Sequence, residues 1–332
     1  MITRDPRTST RTVRFHSFGE PADVLRLEWT DLPQPGIGRI RVAVHACGLT
    51  PADWALCRGL FPGALPRGIG LEVSGVVDAL GEGVSDLAIG DRIVGVPDYA
   101  GAPLAGASDF AILNYWARIP ANLEFARAAA LPMAVETAYR SLDQLGVRSG
   151  QRVLIHGAGT TVGFAATQMA LLRGARVFAT AGDTYAAHLR TMGAMVAAYG
   201  DGMVDRVLAL AGGPVELALD TAPVNVSSAV QGALPALVRL VGGDPRRVFT
   251  VVDFAGAAAL GVRSSVDPQD DANARQTLRY DVLGEFAQLA ADGKFTIPIA
   301  GRFALDDWRA ALAISQSGHA RGKLLLMPGV SA

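Results

Sequence analysis

The chain has 332 residues, half of them apolar and 18% charged. That length suggests about two domains of ~150 residues, and the composition excludes a disordered chain. Thirty basic against 31 acidic residues leave a net charge of −1, which excludes a nucleic-acid or anionic-membrane binder driven by charge. No stretch approaches the ~18 uninterrupted apolar residues of a membrane span, and the Arg-rich start lacks the apolar run of a secretory signal. The expectation is a soluble cytoplasmic protein that partners neither nucleic acid nor membrane.

Residues 1 to about 11 read as a loose leader. From Arg14 to about Pro120 short β-type runs prevail. Ile40, Val42 and Val44 alternate with polar or small neighbours, as a half-buried strand requires. The runs Gly68–Val77 and Gly90–Val94 set glycines among β-branched residues, which marks bulges and tight barrel corners. Two cysteines, Cys47 and Cys57, are too few for a four-thiolate zinc site and are expected as free thiols. Of the 30 basic residues only Lys294 and Lys323 are lysine.

The texture changes near Asn122. A helix is predicted over Ala134–Leu145, then a strand at Val153–His156. A helix follows with Val162, Ala165, Ala166, Met169 and Leu172 on one face, then a strand at Val177–Thr180. The alternation continues with a helix around Tyr185–Met192 and strands at Met195–Ala198, Val215–Leu219 and Val248–Val252. Such alternation implies a parallel sheet with helices on both faces. A strand at Phe295–Pro298, a helix over Phe303–Ser315 and a strand at Lys323–Met327 close the chain.

Between the first strand and the first helix of that sheet stand Gly157, Ala158, Gly159, Thr160, Thr161, Val162 and Gly163. Small residues there let the backbone approach a pyrophosphate, whose charge meets amides and the helix dipole. The spacing is Gly-x-Gly-x-x-x-Gly, so the motif speaks for a dinucleotide only through its strand–turn–helix setting. After the second strand come Ala181 and Gly182, neutral where an acidic residue would bind the ribose of NAD. This predicts NADPH, with Asp183 just beyond as the contrary sign. Tyr185, His188, Arg190 and Tyr199 are the nearby side chains that could meet a 2′-phosphate.

In order along the chain, Gly48–Trp54, Gly70-x-Glu72-x-x-Gly75-Val76-Val77, Gly90–Val94 and Val153–Gly163 resemble the medium-chain dehydrogenase/reductase superfamily, in its zinc-free quinone-oxidoreductase-like and enoyl-reductase-like branch. The resemblance runs from about Arg14 to Pro328. It implies an α/β protein with a GroES-like β-barrel catalytic domain over residues 12–122 and 290–332. A Rossmann domain with a doubly wound parallel sheet, binding NADP, would occupy residues 123–289.

Zinc-dependent members carry a cysteine where this chain has Thr50 and a histidine where it has Leu71, so no metal is expected. Asp53 and Glu72 remain, and two carboxylates without His or Cys make a poor zinc site; tying strands and loops together is their simpler role. The resemblance places Thr50 facing the nicotinamide. Thr50 is therefore the candidate catalytic donor to the enolate of an α,β-unsaturated carbonyl or the phenolate of a quinone, or else it satisfies a local backbone group. Thr137 matches a threonine near the nicotinamide ribose, Tyr199 one that contacts the adenosine phosphate, and Phe254-Ala255 the segment whose amides meet the carboxamide. A lysine common in the phosphate pocket of relatives falls near Tyr185 here. Trp54 and Met133 either line an apolar acceptor pocket or belong to the core. His45 and His156 read as structural, and His16, His188 and His319 show no ligand spacing.

The implied activity is NADPH-dependent, zinc-free hydride transfer to a quinone or activated alkene. A non-catalytic NADPH-binding protein, a sensor or crystallin-like member, stays open because a fold does not fix function. So does a metal-independent alcohol dehydrogenase. A homodimer is implied, with β-rich material at Val248–Val252 and Ala257–Val262 near a pairing edge.

Overall fold

A computed structural model describes residues 8–59, 63–98, 104–223, 232–265, 278–318 and 320–329. The elements follow in chain order: β1 (Ser9–Phe15), α1 (Pro21–Val24), β2 (Leu25–Asp31), β3 (Ile40–Leu49), α2 (Pro51–Cys57), β4 (Arg67–Gly68), β5 (Glu72–Leu80), β6 (Arg92–Pro97), β7 (Phe110–Arg118) and α3 (Phe125–Ala129). Next come α4 (Pro132–Leu145), β8 (Arg152–His156), α5 (Thr161–Leu172), β9 (Arg176–Thr180), α6 (Asp183–Thr191), β10 (Met195–Ala197), α7 (Met203–Ala211) and β11 (Leu217–Asp220). The remainder is α8 (Leu234–Leu240), β12 (Val248–Thr250), α9 (Phe254–Leu260), β13 (Arg263–Ser264), α10 (Leu283–Ala291), β14 (Ile299–Ala304), α11 (Trp308–Gln316) and β15 (Lys323–Met327).

Two compact units result: Met1–Met133 with Tyr280–Ala332, and Ala134–Arg279. In the first, six strands lie in the order β14-β15-β3-β5-β6-β7, and β3 also pairs with β7, so four of them close on themselves. Closure removes exposed edges and lets alternate residues fill the interior. Val42, Val44, Val73, Val77, Ile93 and Leu113 are buried there together with Leu324 and Leu326 from the C-terminal strand. A second sheet, β2-β1-β4, belongs to the same unit. Strand β1 begins at Ser9, inside the stretch expected to be a loose leader, because Thr10 and Thr12 are buried and each rung from Ser9 to Phe15 pairs with β2.

Residues 123–133 and 280–289, expected in the cofactor domain, fall in the first unit. Asn122 Nδ2 donates to the Ala291 carbonyl (3.0 Å) and the Arg127 guanidinium to that of Ala290 (3.0 Å), fastening the approach to α4 onto α10. The expected strand at Phe295–Pro298 is also displaced. Phe295 stacks edge-on against Phe286 at 4.9 Å, and the ladder begins only after Pro298, whose carbonyl accepts from the Lys323 amide (2.7 Å). Proline offers no amide to a ladder, which is why the strand starts beyond it.

The second unit is an all-parallel sheet in the order β10-β9-β8-β11-β12-β13, the strand order of two dinucleotide-binding halves. Val153, Leu154 and Ile155 are buried without alternation, as a strand covered on both faces should be. Helix α5 departs from the single apolar face read from its periodicity: every residue from Gly163 to Ala170 is buried, while Leu172 is exposed. Its polar members are satisfied within the helix, Thr167 Oγ1 donating to the Gly163 carbonyl and Gln168 Nε2 to that of Phe164.

Ala257–Val262 is not the β-rich edge that was expected. It lies mostly in α9, an alanine-rich helix opened by Asp253, whose carboxylate accepts from the Gly256 amide (2.8 Å), and closed by Gly261 at φ +69°. Among the described residues the sheet ends on that side with β13 and on the other with β10. No helix among the described residues is long and apolar enough to cross a membrane.

Candidate active site

In the first unit the chemistry gathers where β3 ends. Thr50 opens α2, with Pro51 in the first helical position, where a missing amide costs nothing. Asp53, one turn later, is fully buried. Its Oδ2 accepts from the Thr50 amide (2.7 Å) and the Thr50 hydroxyl (3.2 Å), and its Oδ1 accepts from the Gly70 amide (2.6 Å). One carboxyl thus joins the β3–α2 corner to the segment leading into β5. Burial lifts its pKa to about 6, against the amide hydrogen bonds from Thr50 and Gly70 that favour the charged form.

Glu72, the first residue of β5, pairs across the ladder with Gly48 of β3. A Cβ at Gly48 would fall 2.4 Å from Glu72 Oε1, so the carboxyl needs glycine opposite it. That oxygen meets the ammonium of Lys323 on β15, and both side chains are buried. Oε2 accepts from the Met133 amide (2.8 Å) in the first turn of α4. Both acids therefore tie strands and loops together, as their simpler reading held. Lys323 as the partner of Glu72 was not legible, because the two are 251 positions apart.

Leu71 is buried in the apolar core, and both cysteines are free and buried. Burial raises the Cys47 thiol well above its usual range and pushes Cys57 up to about 12. Among the described residues no three His, Cys, Asp or Glu side chains converge as a metal site. Trp54 belongs to the core, its Nε1 donating to Ser315 Oγ (2.7 Å). Met133 is half-buried and its sulfur accepts from the Tyr280 hydroxyl (3.5 Å). The His45 ring stacks on Phe125 at 4.2 Å, and burial lowers its pKa. His319 lies outside the described residues.

In the second unit the turn between β8 and α5, with the start of that helix, carries Gly157–Gly163, the glycine-rich part of the residues singled out as cofactor-binding. Gly157 has φ +76°, and Gly163 packs so closely that a Cβ would fall 2.3 Å from the Gly157 carbonyl oxygen and 2.6 Å from Thr221 Oγ1. Gly159 differs: a Cβ there would meet nothing nearer than the Tyr185 ring at 3.4 Å. Its glycine is not required by internal packing, which leaves the backbone open to a ligand. Thr160 caps α5 by accepting from the Gly163 amide (3.0 Å), and the amides of Thr161 and Val162 have no acceptor within the helix. Thr221, buried at the end of β11 and missed by the motif, accepts from Thr160 and donates to the carbonyls of His156 and Gly157.

Thr180, at the end of β9, accepts from the Gly157 amide (3.2 Å) and bonds His156 Nδ1 (2.6 Å). Burial lowers the His156 pKa to about 4, so the ring is neutral and structural. Ala181 and Gly182 follow, and Gly182 caps α6, which carries Asp183 exposed in its first turn. Tyr185 packs edge-on against Phe164 (5.5 Å), as does His188 (5.3 Å). The Arg190 guanidinium donates to the Val196 carbonyl (3.2 Å). The exposed Tyr199 ring stands beside Gly182. Arg206, also missed, spans the carbonyls of Ala198, Tyr199, Gly200 and Asp201 at 2.7–3.4 Å.

Thr137 is half-buried on α4, its carbonyl accepting from Ser141 Oγ (2.6 Å). Phe254 and Ala255 open α9 behind the cap of Asp253. Buried Asp220, a third missed residue, accepts from Thr250 Oγ1 (2.9 Å) and is raised to about 6 by burial. A positive-φ glycine, an open middle glycine, a capped helix start and small residues after β9 fit a nicotinamide dinucleotide. Its pyrophosphate would rest on residues 157–163 and its adenosine end near Ala181, Gly182 and Tyr199.

Residues 36–111 match the family model for the alcohol dehydrogenase GroES-like domain, and residues 182–326 the model for zinc-binding dehydrogenase. The two take in about two thirds of the chain. The chain belongs to the medium-chain dehydrogenase/reductase superfamily. It is 35% identical over 180 residues to a quinone oxidoreductase of Rattus norvegicus, covering 52% of this chain and 53% of that one. It is 42% identical over 165 residues to an erythronolide synthase of Saccharopolyspora erythraea, covering 49% of this chain and 4% of the synthase. The chain thus spans about half the length of the curated quinone oxidoreductase and a small part of the synthase. The solved structure of a quinone oxidoreductase from Coxiella burnetii superimposes with a TM-score of 0.77 at 26% identity, over 97% of this chain and all of that one. The superfamily is one of nicotinamide-dinucleotide-binding oxidoreductases.

Proposed function

We propose that this superfamily member is an NADPH-dependent reductase that delivers hydride to a quinone or an α,β-unsaturated carbonyl without zinc. The observation that carries it is the state of the β3–α2 corner. Thr50 and Leu71 stand where zinc-dependent members have ligands; of the two carboxylates that remain, Glu72 is occupied on one oxygen by Lys323 and on the other by the Met133 amide, and Asp53 accepts from the amides of Thr50 and Gly70. A hydroxyl there can stabilise an oxygen that becomes anionic but cannot act as a Lewis acid, which favours an activated acceptor over an alcohol.

The bound dinucleotide supplies the hydride. Gly157–Gly163 would hold its pyrophosphate, Thr137 the ribose next to the nicotinamide, and the first amides of α9, at Phe254 and Ala255, the carboxamide. Thr50 would donate to the acceptor oxygen. The quinone half of the proposal draws on the quinone oxidoreductases similar to this chain. The activated-alkene half draws on the match of Thr50 to the position that faces the nicotinamide.

NADPH is favoured over NADH by Ala181 and Gly182, which set no carboxylate at the end of β9, and by Tyr199 beside them. Two copies pairing through the edge at β13, in the cytoplasm, complete the reading; a monomer by light scattering at micromolar concentration would overturn the dimer. The central test follows NADPH oxidation by chelator-treated protein with a series of quinones, enones and enals, beside titrations of both dinucleotides. Turnover that survives chelation, with tighter NADPH binding, is expected. Turnover restored only by zinc, or equal or tighter NADH binding, refutes the corresponding part.

A further inference from the structure

Asp53 and Glu72 are both fully buried near Thr50, and the chain treats them differently. Glu72 faces a cation, the ammonium of Lys323. The donors to Asp53 are all neutral: the amides of Thr50 and Gly70 and the hydroxyl of Thr50. Of these three contacts, the one between Thr50 Oγ1 and Asp53 Oδ2 can be reversed. With Asp53 ionised, the Thr50 hydrogen points back at the carboxylate and is not available to another acceptor. With Asp53 protonated, its own O–H can point at Thr50 Oγ1, which frees the Thr50 hydrogen to point outward.

We infer that Asp53 is the proton source for the reduction, delivering through Thr50 to the oxygen of the acceptor. The inference rests on the reading above, in which the chain reduces an enone or quinone with Thr50 at the acceptor. As hydride adds to the β-carbon of an enone, the C=C electron pair shifts and the carbonyl oxygen becomes anionic. That oxygen forms a bond to the Thr50 hydrogen as the Thr50 O–H breaks, and Thr50 Oγ1 takes the Asp53 proton. The acceptor has then gained two electrons and two hydrogens, the dinucleotide has lost a hydride, and Asp53 is a carboxylate. The enol leaves and tautomerises; from a quinone the product is the hydroquinone. Asp53 is 0% exposed and Thr50 9%, so the proton is restored from water through Thr50.

The surroundings suit this role. Burial keeps the Asp53 carboxyl protonated up to about pH 6. The titratable groups that face it are Glu72 of β5, Cys47 of β3 and Cys57 at the end of α2; behind them stand Lys323 of β15 beside Glu72 and Cys47, and Arg58 and Arg67 beside Cys57. Glu72 and Lys323 are paired with each other, and burial keeps both thiols protonated.

The test measures kcat with NADPH and the best acceptor from about pH 5 to about pH 9 for the wild type, Asp53→Asn, Thr50→Val and Thr50→Ser, with circular dichroism and NADPH titration of each variant. The wild type should lose about tenfold in kcat per pH unit above the ionisation of Asp53, and Thr50→Ser should keep that limb. Asp53→Asn should fall by about 10²-fold and become flat. If Asn at 53 prevents folding, the pair at position 50 decides, because Thr50→Val keeps both amide bonds to Asp53 and should also be low and flat. A flat wild-type profile, or a Thr50→Val or Asp53→Asn variant that retains the falling limb, overturns the inference while leaving the reductase reading intact. A folded, NADPH-binding wild type that turns over no acceptor at any pH refutes the reductase reading, and this inference falls with it.

Discussion

Lys323 and Glu72 form a buried ion pair between strands that are far apart in sequence and neighbours of the same strand, β3, in space. The pair brings the end of the chain to the start of α4, since the second oxygen of Glu72 holds the Met133 amide. Two charges taken out of water gain little over an apolar pair, but either one left alone is costly. The pair therefore speaks for a fixed geometry at this corner more than for added stability.

Lys323→Met should accordingly destabilise the protein by about 3–5 kcal/mol, since it leaves the Glu72 carboxylate buried without its cation. Adding Glu72→Met to it should recover part of that loss. A residual cost of about 1–3 kcal/mol should remain for the Met133 amide, which then has no acceptor. Urea denaturation of the two single variants and the double closes the cycle. Equal stability of Lys323→Met and wild type would show that the pair is not buried as described.

The turn glycines separate folding from binding. Gly163→Ala drives a methyl into the Gly157 carbonyl and Thr221, at 2.3 Å and 2.6 Å, and should cost about 1–3 kcal/mol in thermal or urea unfolding. Gly159→Ala meets no backbone and should unfold like wild type, yet it narrows the approach to the turn and should weaken dinucleotide binding about tenfold or more. If Gly159→Ala binds dinucleotide normally, the pyrophosphate does not lie on this turn.

The parallel sheet was legible because most of its strands are apolar at their centres and its turns carry glycine, so local pattern and tertiary role agree. The first unit was legible as β-rich for the same reason. Pairings across long separations were not legible. Nothing near Lys323 announces Glu72, and Thr221 and Thr180 support the glycine turn from neighbouring strands without belonging to its motif. Ala257–Val262 follows a sheet strand in sequence, yet its run of alanines with an Asp cap before it and a Gly stop within it makes it helical. Thr50 was found by resemblance, but its commitment to Asp53 appears only once α2 is folded.

Buried ionisable groups set opposing pH slopes. Asp53 and Asp220 are raised to about 6, so the folded state holds protons that the unfolded chain has released; between about pH 4 and 6 each lowers stability as pH rises. His156 is lowered to about 4, so the folded state lacks a proton that the unfolded chain binds; from about pH 4 to about 6.5 it raises stability as pH rises. A shift of about two units corresponds to roughly 3 kcal/mol. The stability of Asp220→Asn relative to wild type should therefore improve between pH 4 and 6 by about that amount, read from urea midpoints at each pH. A difference that stays constant over that range would mean that Asp220 is ionised throughout.

Arg206 offers the last prediction, because its guanidinium donates to four successive carbonyls and holds the loop that carries Tyr199 beside Gly182. It is exposed and need not touch a ligand to matter. Arg206→Ala should leave the sheet intact but free Tyr199 from a fixed place, raising the KM for NADPH about three- to tenfold with little change in kcat. NADH, which lacks the 2′-phosphate, should be affected less. Arg206→Lys, whose ammonium is a compact point charge and cannot span four carbonyls, should fall between the two. Steady-state kinetics with both dinucleotides decide it: equal effects on NADPH and NADH would mean that the loop supports the fold of the second unit and not the recognition of the phosphate.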